Sequence, residues 1–304
     1  MVNRSKVAIA PHSNAAYEAA VLAAGGQVAP LGPDVAAMIW TDYSKPHELD
    51  ETVRANPQLE WVQLPFAGVD AFQQSLNLPV TFTSAKGSYR RPVAEHALTL
   101  CLALARKIPE RVRAKTWGDK FAVSLYDSEI LIVGGGGITE ELLNLLAAFN
   151  TTVNVVRKHV APMTGANVFG FEQLDSLLPS ADFVVLASAL TDQTRGLFDD
   201  ARFAIMKPTG YLVNIARGPI VDTDALIRAL ENETIAGAGV DVTDPEPLPD
   251  GHRLWSTKNV IITPHTADTP AQVVGLFSKR IDENVRAFIA GRPLVGLVSP
   301  ELGY

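Results

Sequence analysis

The chain has 304 residues, 47% of them hydrophobic and 19% charged, with a formal net charge of -7 and an isoelectric point near 5.4. That length accommodates two domains with separate cores, and the composition is that of a water-soluble globular protein. The acidic balance and scattered basic residues provide no field for nucleic acid, and no run of about 18 apolar residues is present to span a membrane.

The opening MVNRSKVAIAP has too short an apolar stretch for a signal peptide, and the single cysteine, Cys101, cannot form an internal disulfide. Both features predict a cytoplasmic, reducing location. Cys101 sits in LTLCLALA and reads as a buried helix residue, a reactive thiol being the alternative. Short apolar runs then alternate with helical patterns: VAIA (7–10), a helix over 14–24, MIW (38–40), a helix over 48–55, and WVQL (61–64). Strands separated by helices at that spacing predict a parallel sheet covered on both faces. PVAEHALTLCLALARKIPERVRAK, from Pro92, predicts one long helix with its proline in the first turn, a connector between two domains.

A second series follows: ILIV (130–133), a helix over 138–149, TVNVV (152–156), DFVVLA (182–187), GYLVNIA (210–216), IAGAGVDV (235–242) and NVIITP (259–264). In the helix, Ile138, Leu142, Leu145, Leu146 and Phe149 predict one apolar stripe facing a sheet. The final helix, roughly 270–290, leads into a tail that could return to complete the first domain.

Residues 130–139, ILIVGGGGIT, place strand, glycines and helix in the order a pyrophosphate site requires. Gly134 permits the sharp turn, Gly136 lets backbone approach the phosphates, and the helix N-terminus offers free N–H groups and a positive dipole end. A strand-to-helix turn without a ligand is the plainer alternative. Thr139 stands where a third glycine is expected, predicting a looser contact of helix on strand. Position 157 lies 23 residues past Gly134 (157 − 134), where an acidic residue would hold an adenosine 2′-hydroxyl. It is Arg157, followed by Lys158. Two cations favour a 2′-phosphate, so NADP is expected over NAD, with a solvated basic strand end as the alternative.

Three segments place polar residues at the carboxyl ends of predicted strands: NIARGPIVD with Arg217, GVDVTDPEPLP with Asp241 and Glu246, and VIITPHTAD with His265. Singly, these read as a surface ion pair, a solvated loop acid and a strand-end histidine. Together they suit reduction of a 2-keto acid, which needs a cation for the carboxylate, a proton donor for the developing alkoxide, and a carboxylate that keeps the donor protonated. Arginine's fork matches a carboxylate, and histidine titrates in the useful range. The other histidines suit the role less: His12 follows a strand of the other domain, His47 and His252 lie in loops, His96 is within the long helix, and His159 adjoins the ribose-phosphate position. No histidine or cysteine spacing suggests a metal site.

The stretch LTDQTRGLFDDARFAIMKPTGYLVNIARGPIVDTDALIRAL, followed by IAGAGVDVTDPEPLP and NVIITPHTA, resembles the NAD(P)-dependent D-isomer-specific 2-hydroxyacid dehydrogenases, especially the shorter glyoxylate/hydroxypyruvate reductase type. The likeness runs from about residue 85 to 290 and is densest over 181–268. It implies that Arg217 binds the substrate carboxylate and carbonyl, His265 is the acid/base, Glu246 is its partner, and Asp241 bonds the nicotinamide carboxamide. FAGVD (66–70) resembles the family's substrate loop, whose backbone N–H groups at Ala67, Gly68 and Val69 would grip the carboxylate. AKGSYRRPVAEHAL resembles the family's interdomain segment. The cofactor residues implied are Gly134, Gly136, Gly137, Ile138, Arg157, Lys158, Ser188 and Asp241.

The resemblance further implies an α/β protein of two doubly wound parallel-sheet domains. A Rossmann-type nucleotide domain would span 91–270, and a discontinuous flavodoxin-like substrate domain 1–90 and 271–304, with the active site in the cleft and a homodimer formed through the nucleotide domain. Thr139 departs from the family pattern, as does Ala189, where proline is usual. The expected activity is hydride transfer from NADPH to a small 2-keto acid such as glyoxylate or hydroxypyruvate, giving a D-2-hydroxy acid. The alternatives are bulkier 2-keto acids such as phenylpyruvate or 2-ketoisocaproate, and a dinucleotide-sensing regulatory protein without turnover.

Overall fold

The computed structural model of the protein describes residues 3–299, which fall into two compact units, the first made of residues up to Tyr89 and from Thr269 onward, the second of Arg90–Asp268. The first unit begins with β1 (Asn3–Ala10), α1 (Ala15–Ala23), β2 (Gln27–Val28), β3 (Val35–Trp40), α2 (Pro46–Ala55), β4 (Trp61–Gln63) and β5 (Thr81–Thr83). Its strands form a parallel sheet in the order β2-β1-β3-β4-β5. All six residues of β3, VAAMIW, are buried, because a central parallel strand is covered on both faces and reads as a continuous apolar run. Asn14 starts α1 by accepting the N–H groups of Ala16 and Tyr17, which would otherwise lack partners. β2 and β5, of two and three residues, were not expected from the sequence.

The second unit contains α3 (Arg90–Ala105), α4 (Ile108–Arg113), β6 (Glu129–Val133), α5 (Gly137–Leu146), β7 (Thr152–Val156), β8 (Asn167–Phe169), α6 (Leu174–Leu177), β9 (Phe183–Leu186), α7 (Asp200–Ile205), β10 (Tyr211–Asn214), α8 (Thr223–Glu231), β11 (Gly237–Val240) and β12 (Val260–Ile262). The sheet is parallel throughout, in the order β12-β11-β10-β9-β6-β7-β8. Successive strand residues point to opposite faces, so each inner strand feeds two cores. Leu131, Val133, Val184, Leu186 and Leu212 pack with Leu226 and Leu230 of α8 on one face. Ile130, Ile132, Val185 and Val213 pack with Leu100, Cys101 and Leu104 of α3 on the other. Each such side chain removed from water stabilises the fold by roughly 1.5–3 kcal/mol.

Two local expectations are corrected. The long helix from Pro92 is broken into α3 and α4, with Lys107 in the left-handed region at φ 54°. Pro109 is the cause: it has no N–H, and its ring would meet the carbonyl four residues earlier in a continuous helix. The buried positions of α5 are Thr139, Leu142, Leu143 and Leu146, whereas Leu145 is 38% exposed. The inward stripe therefore runs through the threonine.

The chain returns to the first unit as α9 (Pro270–Ile289), started by a capping box in which Thr269 and Gln272 satisfy each other's backbone N–H groups. Phe277 meets Tyr17 of α1 edge-on at 5.3 Å, and Asn284, fully buried, donates to Gln63 Oε1 of β4 at 2.7 Å. These contacts make the first unit discontinuous in sequence. Cys101 is buried, and burial pushes its thiol up to about 12, so the reactive-thiol alternative does not hold. Among the described residues, no helix is long and apolar enough to cross a membrane.

Candidate active site

Strand register aligns one row across the second sheet: Val156, Val133, Leu186, Asn214, Val240 and Ile262 are successive neighbours. The next residue on each strand bonds back to its neighbour, as Gly134 N–H does to Val156, Ala187 to Val133, Asp241 to Asn214 and Thr263 to Val240. Beyond this row lie Gly134, Arg157, Ser188, Arg217, Asp241 and His265, all at the carboxyl edge. That edge, where the strand order reverses between β6 and β9, is where open α/β sheets bind ligands.

Gly134 has φ 115°, and a Cβ on it would lie 2.5 Å from the Ala187 carbonyl oxygen and 2.6 Å from Ser188 N. Only glycine lets the ends of β6 and β9 meet so closely. Gly136 precedes α5 without any side-chain cap, and the space where its Cβ would be is open. Gly137 and Ile138 are the first helical residues, so their N–H groups have no intrahelical partner. Ser188 Oγ is buried without a hydrogen-bond partner. Arg157 lays its stem along the turn, since a Cβ on Gly135 would be 2.6 Å from its Cδ and 2.8 Å from its Nε. Lys158 and His159 are exposed beside it. Free N–H groups, open space, an unsatisfied buried hydroxyl and neighbouring cations all fit a phosphate-bearing dinucleotide.

The looser helix contact expected from Thr139 is not what the structure shows. The side chain is fully buried, and its hydroxyl donates to the Gly134 carbonyl at 2.7 Å. Where glycine would save space, threonine ties the helix to the turn.

His265 Nδ1 lies 2.6 Å from Glu246 Oε1, with the imidazole and carboxylate side chains 48% and 40% exposed. The hydrogen bond to Glu246 raises the His265 pKa above its ordinary 6.5 and outweighs the lowering by burial and by the Arg217 charge. Burial pushes the Glu246 carboxyl up, but the His265 bond and charge, the Thr243 N–H and the Arg217 charge together hold it below its ordinary 4.5. Nδ1 therefore carries a proton toward an ionised carboxylate, and Nε2 is left for chemistry.

Arg217 follows β10 in extended conformation and donates from Nη1 to the Ala216 carbonyl at 2.7 Å. The buried Asn214 side chain shapes this turn, accepting from Ala216 N–H and donating to the Arg217 carbonyl, both at 3.0 Å. A Cβ at Gly218 would overlap the Thr243 carbonyl, so the turn bearing Arg217 sits directly against the segment leading to Glu246.

Asp241, 2% exposed, accepts from Thr263 Oγ1 (2.6 Å), Thr266 N–H (2.9 Å) and Ala267 N–H (3.2 Å). Burial pushes its carboxyl up, but bonds from His96, Thr263 and Thr266 outweigh this and hold it below its ordinary 3.8. In the sequence His96 reads as a residue within a long helix, and no motif marks Thr263. A polar residue on the helix face of Pro92 and Leu100, each four residues away and buried, was the available signal.

Ala67, Gly68 and Val69 belong to the first unit. Their loop is braced by Tyr89, whose hydroxyl donates to the Pro65 carbonyl at 2.7 Å, and by Ala85 N–H donating to the Phe66 carbonyl at 2.9 Å. Val69 is 1% exposed, Ala67 is exposed and Gly68 is intermediate. Among the described residues, no group of three or more His, Cys, Asp or Glu residues is placed to hold a metal ion.

A doubly wound sheet with a glycine turn at its switch point and a histidine–carboxylate pair at the same edge has the architecture of dinucleotide-dependent enzymes. The family model for the NAD binding domain of D-isomer specific 2-hydroxyacid dehydrogenases matches residues 98–267. The chain is 33% identical over 273 residues to the glyoxylate reductase of Pyrococcus furiosus, covering 84% of this chain and 80% of that protein. It resembles the structure of a D-isomer specific 2-hydroxyacid dehydrogenase from Xanthobacter autotrophicus Py2 in complex with NADPH and MES (TM-score 0.86, 29% identity, covering 98% of this chain and 99% of that one). It also resembles an NADPH-dependent glyoxylate/hydroxypyruvate reductase from Sinorhizobium meliloti in complex with NADP and sulfate (TM-score 0.84, 25% identity, covering 98% and 99%). The chain belongs to the D-isomer specific 2-hydroxyacid dehydrogenases, a family of oxidoreductases.

Proposed function

We propose that the protein reduces a small 2-keto acid, glyoxylate or hydroxypyruvate first among them, to the D-2-hydroxy acid with NADPH. The observation that carries this reading is the 2.6 Å contact of His265 with Glu246, with the Arg217 charge acting on both. A bound nicotinamide supplies the hydride. His265, kept protonated by Glu246, donates from Nε2 to the carbonyl oxygen as negative charge develops there. Arg217 forks the substrate carboxylate and polarises the carbonyl, assisted by the N–H groups of Ala67, Gly68 and Val69. The first unit is accordingly the substrate domain and the second the nucleotide domain.

On the cofactor side, N–H groups of Gly136, Gly137 and Ile138 receive the pyrophosphate, with Gly134 making the turn and the Ser188 hydroxyl as a further donor. Arg157 and Lys158 receive the 2′-phosphate, and Asp241 Oδ2, which among the described residues accepts one bond, at 3.2 Å, has capacity for the carboxamide. NADP is preferred over NAD because Arg157 lies over the glycine turn where an acid would repel phosphate. The NADPH and NADP complexes of the two structural relatives support the same choice.

A second substrate reading is favoured by one feature. Phe66, beside Ala67, contacts the rings of Tyr43 and Tyr89, both at 5.7 Å, an aromatic surface suited to phenylpyruvate or branched keto acids. NADPH oxidation over a panel of keto acids, repeated with NADH, tests all of this. Turnover of glyoxylate or hydroxypyruvate supports the main reading; silence across the panel despite demonstrated cofactor binding would favour a dinucleotide sensor. A cytoplasmic location is proposed on the composition and the single cysteine. A homodimer is proposed on Val112, Trp117 and Phe121, which are 79%, 91% and 60% exposed within ten residues of the second unit. Light scattering that gave the monomer mass would reject it.

A further inference from the structure

His96 stands on α3 with its side chain 17% exposed, Nε2 lying 3.0 Å from Thr263 Oγ1 and 3.3 Å from Asp241 Oδ1. Thr263 has one hydroxyl proton and gives it to Asp241 Oδ1 at 2.6 Å. An ionised carboxylate only accepts, so the Thr263 oxygen must accept from the imidazole, and His96 carries its proton on Nε2. The same carboxylate takes the N–H groups of Thr266 and Ala267, and the Asp241 carbonyl takes that of His265 at 2.8 Å. His265 is thus bracketed by bonds to one residue, and it is held at φ 49°, in the left-handed region that few residues other than glycine occupy.

We propose that His96 is a positioning residue for the acid–base step: by donating Nε2–H to Thr263 it fixes the Asp241 carboxylate that seats the backbone of His265. The inference rests on the reading of His265 as the proton donor. Among the described residues, the groups that donate to this carboxylate, Thr263, Thr266 and Ala267, lie on the loop they restrain, whereas His96, bonded to Thr263 and 3.3 Å from Asp241 Oδ1, stands on α3 outside it. Without the imidazole, the Thr263 oxygen loses the bond that ties it to α3. The loop then holds Asp241 by contacts that can shift together. A displacement of about 1 Å at an acid–base group costs up to about a hundredfold in rate.

The test compares His96→Leu, which removes the donor, with His96→Gln, which keeps an N–H on a side chain of similar reach. Kinetics with NADPH and the best keto acid are paired with cofactor affinity from fluorescence and with an NMR titration of the His265 imidazole. In His96→Leu, kcat is expected to fall about tenfold or more with NADPH affinity within about threefold of the parent, and His96→Gln to recover most of the loss. The charged groups acting on His265 are Glu246, Arg217, Asp241 and Asp268. Loosening its seat weakens the Glu246 contact, so the imidazole should titrate at lower pH in His96→Leu. A kcat within about twofold of the parent, or a glutamine variant no better than leucine, would overturn the proposal, because lost packing alone would lower Tm without separating these variants. Should the parent reduce no keto acid, the functional reading fails instead, and the titration still decides: an unchanged His265 curve in His96→Leu rejects the positioning role. Should the leucine variant not fold, the near-isosteric Thr263→Val removes the relay oxygen and is held to the same outcomes.

Discussion

Replacing Glu246 by glutamine keeps the shape of the acid–base pair and removes its charge. The Glu246 hydrogen bond at 2.6 Å is the main cause of the raised His265 pKa, while burial and Arg217, which remain in the variant, both lower it. The imidazole should therefore titrate at lower pH in Glu246→Gln. With His265 as the proposed proton donor, reduction requires the protonated ring, so the parent rate should be fully expressed at acid pH and lost as pH rises through the raised pKa. In the variant that loss should begin earlier. A positioned general acid contributes about 10²–10⁴-fold to rate, and the variant retains its imidazole, so kcat/KM at neutral pH should fall about ten- to a hundredfold and recover partly toward pH 5. Because both side chains are nearly half exposed, the ion pair itself contributes under about 1 kcal/mol to stability, and Tm should hardly move. The assay is the pH profile of keto-acid reduction, with thermal unfolding alongside. A descending limb at the same pH in both proteins would refute the assignment of Glu246 as the group that tunes His265.

Arg157→Asp places a negative charge over the glycine turn and should shift the NADPH-to-NADH ratio of kcat/KM by about a hundredfold toward NADH, equivalent to roughly 2.7 kcal/mol; an unchanged ratio would exclude Arg157 from 2′-phosphate recognition. Thr139→Val removes the 2.7 Å bond to the Gly134 carbonyl at a fully buried position. It should cost about 1–3 kcal/mol in denaturant unfolding and weaken NADPH binding, whereas Thr139→Ser should restore both. Arg217→Ala should lose about a hundredfold or more in kcat/KM for keto acids while leaving the Kd for NADPH within a few-fold, and unaltered kinetics would remove Arg217 from the carboxylate site.

Five of the candidate residues were legible because each stands at or just past the end of an apolar run that reads as a strand, whereas Glu246 and the 67–69 loop were not so placed. ILIV, TVNVV, GYLVNIA, IAGAGVDV and NVIITP lead to Gly134, Arg157, Arg217, Asp241 and the His265 segment. β2, β5 and β8 were not expected from the sequence. The break between α3 and α4 was written in Pro109 but hidden by the apolar pattern running through it. Thr139 was misjudged for a different reason. Its size was visible, but its hydroxyl's partner, five residues back across a turn, depends on how that turn closes.

By itself, the sequence determined the longer strands that alternate with helices, the glycine turn and the chemical types at those strand ends, because periodicity and turn chemistry are local. Only the tertiary structure decided which of those ends face each other. Parallel pairing of β10, β11 and β12 brings Asn214, Val240 and Ile262 into one row, and so sets Asp241 beneath the loop of His265. His96 reaches Thr263 across 167 positions, a contact that no spacing encodes. Hydrogen bonds between strands and the burial of α3 on the sheet select it, since an ionised Asp241 in the interior is stable only where donors converge from elements far apart in the chain.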